Sequence, residues 1–204
     1  MFTGLVREFG CVKGFQNNCL RLEAKHQPKI GDSIAVNGAC LTVIEVFNKG
    51  FVLELSEESQ SNLALETYQN LVHIEPAMTL SDRLDGHILQ GHIDSIGEII
   101  KIIPHKIGTD FFIRTNAEIL ELCIPKGSIG INGISLTINE VFKDSIRLTL
   151  IPHTLQTTLF KTYQIGTRVN IETDIFARIL HHFLKRKNSS SLTWEQVDTI
   201  LGSY

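Results

Sequence analysis

The sequence has no run of apolar residues approaching the ~20 that a membrane-spanning helix needs. Its first ten residues, "MFTGLVREFG", lack the basic start, apolar stretch and small-residue cleavage site of a secretory leader, so a cytoplasmic location is expected. Charge of one sign is also missing. Nineteen Lys and Arg stand against 22 Asp and Glu, and a net charge of −3 leaves no basic face for nucleic acid. Cysteine is scarce: Cys11, Cys19, Cys40 and Cys123 contain no C-x-x-C spacing, and free thiols are expected. The composition of disorder is absent too, with 43% hydrophobic and 20% charged residues. A chain of 204 residues has room for one large domain or two small ones.

Familiar catalytic patterns are equally absent. There is no Ser-His-Asp order, no glycine-rich phosphate loop and no evident pair of catalytic carboxylates. His87 and His92, in "GHILQGHID", are five residues apart and project from different faces of a strand or a helix. Adjacent His181 and His182 converge no better. No metal site is expected.

What is present is a sentence written twice. "VNGACLTVIEVF" from Val36 returns as "INGISLTINEVF" from Ile131. The offset of 95 that joins Asn37-Gly38 to Asn132-Gly133 also joins Thr67-Tyr68-Gln69 to Thr162-Tyr163-Gln164. Val72-His73-Ile74-Glu75 then meets Val169-Asn170-Ile171-Glu172 at an offset of 97, the first copy having lost a two-residue turn that is Ile165-Gly166 in the second. Upstream, "TGLVREFGCV" lies over "QGHIDSIGEI", so that Gly4 answers Gly91. Register kept over so much of two halves means a duplicated domain.

Each copy alternates with the period of a strand, as in "CLRLEAK", "FVLEL", "SIRLTL" and "RVNIE", between turn formers such as Asn17-Asn18, Lys49-Gly50 and Lys143-Asp144. About six short strands per copy predict a small closed barrel, which leaves no edge exposed. "SNLALETY" in the first copy and "NAEILELC" in the second are expected to be helical. The chain divides into repeat 1 (residues 1–87), repeat 2 (88–174) and a tail (175–204). In the tail, "IFARILHHFLKRK" carries Ile175, Phe176, Ile179, Leu180, Phe183 and Leu184 at helical spacing. That stripe is buried either on the same stripe of other subunits or on its own barrel. Thr193 with Gln196 is expected to form a capping box for a last short helix.

The repeated strand also offers chemistry. Cys40 with Thr42, and Ser135 with Thr137, occupy positions i and i+2 and so share a face, with leucine on the other. Singly, each would pass as surface threonine and small core residue; the duplication argues for a polar pocket built twice. Gly91 is expected to let the backbone approach a ligand beside His92, whose imidazole is suited to moving a proton near neutral pH.

"MFTG", "VNGACLTV", "SDRLDGHILQGHID" and "INGISLTI", in this order and spacing, closely resemble riboflavin synthase of the homotrimeric alpha-chain type, over residues 1 to about 187. The resemblance implies two tandem six-stranded Greek-key β-barrels, an all-β fold with a C-terminal helix that holds a homotrimer. It implies dismutation of two 6,7-dimethyl-8-ribityllumazine molecules to riboflavin and 5-amino-6-ribitylaminouracil by transfer of a four-carbon unit, with no cofactor or metal. The N-terminal barrel of one subunit would face the C-terminal barrel of the next, and lumazine synthase is a further partner to be considered. Carried over by position, the first barrel would bind substrate through Gly4, Leu5 and Val6, then Cys40, Leu41 and Thr42, then Glu54, Leu55, Ser56, Glu57, Glu58 and Ser59. The second would use Gly91, His92 and Ile93, then Lys126, then Ser135, Leu136 and Thr137, then Thr149, Leu150, Ile151, Pro152, His153 and Thr154. Phe2 and Thr3 would cover the pocket. His92, Ser135, Thr137 and Cys40 would polarise substrate and handle protons, with the division of roles, and of donor and acceptor barrels, left open. Ser61, Leu63, Ala64, Asp85 and His153 depart from the family pattern. The alternatives are a non-catalytic lumazine or flavin carrier on the same barrels, and a barrel pair with no small ligand.

Overall fold

A computed structural model describes residues 1–56 and 60–189. The first copy contributes β1 (Glu8–Gln16), β2 (Cys19–Glu23), β3 (Ser33–Val36), β4 (Ala39–Phe47), β5 (Gly50–Glu54) and β6 (Leu71–Pro76). The second contributes β7 (Ser95–His105), β8 (Gly108–Arg114), β9 (Ser128–Ile131), β10 (Ile134–Val141), β11 (Ser145–Leu150) and β12 (Arg168–Thr173). Each set closes into an antiparallel ring, β1-β2-β5-β4-β3-β6 in one and the equivalent β7-β8-β11-β10-β9-β12 in the other. β3, β4 and β5 follow as successive hairpins and β6 returns beside β3, which is a Greek key. Alternation explains the rings. In β2, Leu20 and Leu22 are buried while Arg21 faces water, and in β11 Ile146, Leu148 and Leu150 do the same around Arg147 and Thr149. Each copy thereby fills its own core, one around Phe51, Leu53 and Ile74, the other around Phe111, Ile113 and Ile171. Each such side chain contributes roughly 1.5–3 kcal/mol.

The repeated Asn-Gly has a geometric cause. Asn37 (φ 44°) and Gly38 (φ 86°) form the two-residue turn between β3 and β4, and Asn132 (φ 47°) and Gly133 (φ 79°) form that between β9 and β10. Both central residues are left-handed, the conformation Asn-Gly adopts at least cost. The two turns meet tip to tip. A Cβ on Gly38 would lie 2.6 Å from Gly133 N, and one on Gly133 2.7 Å from Gly38 N. Only glycine permits that approach.

A buried polar network seals the junction. Asn37 Oδ1 accepts from His73 N, and Asn132 Oδ1 accepts from Asn170 N, each at 2.8 Å. Crossing between copies, Asn170 Nδ2 donates to the Asn37 carbonyl at 2.9 Å and His73 Nδ1 donates to the Asn132 carbonyl at 3.1 Å. A carbonyl only accepts, so the His73 proton sits on Nδ1, and Nε2 accepts from Leu159 N at 2.8 Å. Burial pushes the pKa of this imidazole down to about 4, so it is neutral. The repeated tyrosines complete the set. Asn132 Nδ2 donates to Tyr163 Oη, and Asn170 Nδ2 donates to Tyr68 Oη.

Three α-helices lie wholly within the described residues. α1 (Ala117–Glu121) is the expected helix of the second copy, capped by Asn116 Oδ1 on Ile119 N. The differently placed segment expected to be helical in the first copy holds a 3-10 turn, Leu65–Thr67, which the offset of 95 sets over Leu159–Thr162 rather than over α1. α2 (Pro152–Thr157), opened by proline in its first turn and followed by the 3-10 turn Leu159–Thr162, was not expected. α3 (Ile175–Ser189) is the tail helix, with Asp174 Oδ1 accepting from Phe176 N and Ala177 N at its head. Its polar side docks on its own barrel through Arg178 to Asp94 and through His181 and Lys185 to Glu121. The apolar stripe therefore faces outward, with Phe176, Ile179, Leu180, Phe183 and Leu184 all 46–65% exposed. The capping box of Thr193 and Gln196 lies outside the described residues. The four cysteines are free thiols. No helix among the described residues is long and apolar enough to cross a membrane.

Candidate functional site

β4 and β10 carry the repeated polar pairs on their outer faces. Leu41 is buried in the first core, while Cys40 is half-buried and Thr42 exposed. Leu136 packs against the second core, with Ser135 half-buried and Thr137 exposed. The shared face inferred from the two-residue period is present in both copies.

The glycine segments lie against these pairs crosswise, which corrects the expected grouping. Gly91 O accepts from Cys40 N at 2.9 Å, and Gly4 O accepts from Ser135 N at 2.8 Å. Residues 91–93 therefore belong with the first barrel, where Ile93 packs on its core, and residues 4–6 with the second, where Val6 does so. Each copy lends its leading segment to the other. Both glycines are left-handed, Gly91 at φ 80° and Gly4 at φ 78°, and a Cβ would stand 2.5 Å from Cys40 Cβ or 2.6 Å from Ser135 Cβ. Gly91 thus makes room for a strand as well as lining a groove.

Two glutamates hold these segments. Glu75 accepts from Thr3 N, Thr3 Oγ1 and Gly4 N at 2.7, 2.6 and 3.0 Å. Its counterpart Glu172 accepts from Gln90 N and Gly91 N at 2.6 and 2.9 Å. Burial raises both pKa values, that of Glu172 to about 7. Phe2 is not a cover. It is 1% exposed, paired with Leu89 and packed with Ala35 against Cys40, so it backs the site from within.

Two grooves meet at Cys40. One of about 460 Å³ is lined by Ala39, Cys40, Asn62, Leu63, Gly91, His92 and Ile93. The other, about 430 Å³, is lined by Asn18, Cys40, Leu41, Thr42, Glu54, Leu55 and Ser56. Their volumes fall in the size range of small-molecule sites. Six of the twelve residues expected in the first barrel, Cys40 to Thr42 and Glu54 to Ser56, are thus gathered, joined by Asn18, Ala39, Asn62 and Leu63. Glu57, Glu58 and Ser59 lie outside the described residues.

In the second barrel, Ser135 Oγ lies 2.7 Å from His87 Nδ1. His87 is buried, burial lowers its pKa, and its Nε2 is buried with no partner among the described residues. His87 is not among the site residues expected from the sequence. Thr149 Oγ1 donates to Asp110 Oδ1 at 2.7 Å. Burial works to raise the Asp110 pKa, but hydrogen bonds from Thr149, His105 and Arg147 hold it below the usual carboxylate range. Leu150 is in the core rather than on the outer face. Ile151, Pro152 and His153 are exposed where α2 begins, and Thr154 is half-buried. Lys126 is exposed on the loop before β9, left-handed at φ 67° where the first copy has Gly31 at φ 91°. A lysine there costs roughly 1–2 kcal/mol. Among the described residues no group of three or more His, Cys, Asp or Glu converges for a metal.

The lumazine binding domain family matches residues 3–77 and again 90–174, one match per barrel. Riboflavin synthase of Photobacterium phosphoreum is 35% identical over 195 residues, 90% of this chain and 89% of that one. That of Actinobacillus pleuropneumoniae is 37% identical over 92% of this chain and 91% of its own. The chain belongs to the riboflavin synthase family. A further synthase, from Bacillus subtilis, is 32% identical over 93% of both chains. Among solved structures, LumP complexed with 6,7-dimethyl-8-(1'-D-ribityl) lumazine shares the fold at TM-score 0.72 and 22% identity, covering 85% of this chain and 99% of that chain. LumP complexed with riboflavin gives 0.75 at the same identity and coverage.

Proposed function

We propose that this chain is a riboflavin synthase, converting two molecules of 6,7-dimethyl-8-ribityllumazine into riboflavin and 5-amino-6-ribitylaminouracil. The observation that carries the reading is the twofold polar pair, each flanked by a glycine segment lent by the other copy. A duplicated site suits a reaction between two copies of one molecule. Holding both in register replaces a bimolecular encounter by an oriented one. One lumazine loses a proton from its C7 methyl while the other accepts a nucleophile at C7, and the four-carbon unit then passes between them. The two sites are alike in shape and unlike in chemistry. Ser135 shares a hydrogen bond with neutral His87, suited to moving a proton, whereas Cys40 lies beside the backbone of Gly91 and the exposed imidazole of His92.

Incubating the protein with the lumazine alone and following riboflavin fluorescence tests this. Product is expected without added cofactor, and Ser135→Ala should slow it about 100-fold, the lower range for a lost proton-transfer group. The likeness to LumP favours a carrier as the second reading. Binding with no product would establish the carrier and reject the synthase.

The outward stripe of α3 supports assembly as a trimer, with equivalent helices of three copies burying Ile179 and Phe183 against one another and the first barrel of one copy facing the second barrel of the next. Ile179→Asp combined with Phe183→Asp should yield monomers by sedimentation and cut turnover at least tenfold. A fully active monomer would reject the shared site.

A further inference from the structure

The two leading segments are anchored unequally. In the segment of residues 2–6, the Glu75 carboxylate receives a third donor, the Thr3 hydroxyl. At Glu172 that donor is lacking, since Gln90 stands in the place of Thr3. A cation takes its part. Arg178 Nη1 lies 3.0 Å from Asp94 Oδ1, and its Nη2 donates to Gln90 Oε1 at 3.0 Å and sits 3.8 Å from Glu172 Oε1. Asp94 is itself fixed by Thr173, whose N and Oγ1 both donate to Oδ2 at 2.7 Å. One guanidinium in the first turn of α3 thus touches both ends of the segment that lines the Cys40 groove. The group is largely withdrawn from solvent, with Arg178 and Asp94 side chains 23% and 20% exposed, so the pair is worth more than a surface bridge.

We infer that Arg178 is a positioning residue: reaching back from the tail helix, it clamps residues 90–94 against β4, so that seating of the helix sets the shape of the Cys40 groove. The inference rests on the reading of that groove as the first-barrel substrate site. The clamp has an electrostatic side. Burial lifts the Glu172 pKa, the two backbone donors and the Arg178 charge pull it down, Asp94 pushes it up, and the balance stands at about 7. Its neighbour across the sheet, Gly130 on β9, brings no charge. Without the guanidinium, Glu172 takes up a proton at higher pH. One of its oxygens then becomes a poor acceptor, and the segment loosens.

The test uses Arg178→Gln, Arg178→Lys and, as a control for helix docking, Lys185→Gln, which breaks the separate bridge to Glu121. Alkylation of Cys40 by iodoacetamide, read by peptide mass spectrometry, reports the segment directly, because the thiol lies beneath it. Arg178→Gln should raise the rate several-fold, Lys185→Gln should leave it unchanged, and Arg178→Lys should fall between. The rise should persist on the Ile179→Asp, Phe183→Asp background, which separates the clamp from assembly. With lumazine as substrate, Arg178→Gln should raise KM about tenfold, the scale of one lost charged hydrogen bond, with a smaller change in kcat. The acid limb of its kcat/KM profile should move to higher pH. Wild-type alkylation rates in Arg178→Gln on both backgrounds would overturn the clamp. A wild-type protein that makes no riboflavin would instead overturn the functional reading, while the alkylation result still decides the clamp.

Discussion

Gly91→Val should abolish measurable turnover and destabilise the fold by about 3 kcal/mol. The left-handed backbone at φ 80° costs an ordinary L-residue roughly 1–2 kcal/mol. A side chain there must also enter β4, since its Cβ would stand 2.5 Å from Cys40 Cβ and 2.8 Å from Cys40 N. Neither atom can yield, because Cys40 N is already bonded to Gly91 O. The segment must lift, carrying His92 and Ile93 away from the groove and exposing the edge of the first core. Gly166→Ala isolates the backbone term. Gly166 is also left-handed, at φ 89°, with nothing within 4 Å of its ideal Cβ, so it should cost about 1 kcal/mol and leave turnover intact. Denaturant titration gives the stabilities and riboflavin fluorescence the rates. Normal turnover in Gly91→Val would mean that the segment does not lie against Cys40.

The second large effect concerns the junction between barrels. His73→Leu should cost at least about 3 kcal/mol, because it leaves the Asn132 carbonyl and the Leu159 N–H buried without partners. His73→Asn copies Asn170 of the other half and should cost about 1 kcal/mol at neutral pH. The His73 contribution should also be acid-sensitive in a defined window, although the raised pKa values of Glu75 and Glu172 act in the opposite sense over much of it. A histidine whose pKa falls from 6.5 to about 4 on folding prefers to be neutral in the native state. Its contribution is complete above 6.5 and is lost as pH drops from 6.5 towards 4, about 3 kcal/mol in all. The stability of wild type relative to His73→Asn should therefore fall as pH drops across that window, which cancels the carboxylate contributions common to both. An unchanged slope would show that the imidazole does not report on the junction.

Much of this architecture could be read from the chain. The offset of 95 found the duplication because tip-to-tip turns demand Asn-Gly in both copies. Alternation found the strands because each barrel buries one face, and the period of 3.6 found α3. The polar pairs were legible for the same reason as the strands: Cys40 with Thr42 and Ser135 with Thr137 differ by two. What escaped was long-range. Aligning Gly4 with Gly91 says that they do the same thing, not that each does it for the other barrel. Glu75 and Glu172 served only as register marks, since nothing local reveals that a strand-end carboxylate will receive backbone donors some 70 to 80 residues away. His87 stands near His92 in sequence, while its partner Ser135 is 48 residues distant. α2 spans only six residues, too few for a helical period to register.

The mutual loan of leading segments has a bearing on descent. A lone barrel of this kind would be incomplete, with an uncovered strand where β4 awaits a neighbour's glycine and a loose arm with nowhere to rest. Two such molecules would satisfy each other at once by embracing arm for arm about a twofold axis. The present chain has the form of that ancestral dimer with its halves joined end to end, after which His73 and Asn170, and Cys40 and Ser135, were free to diverge.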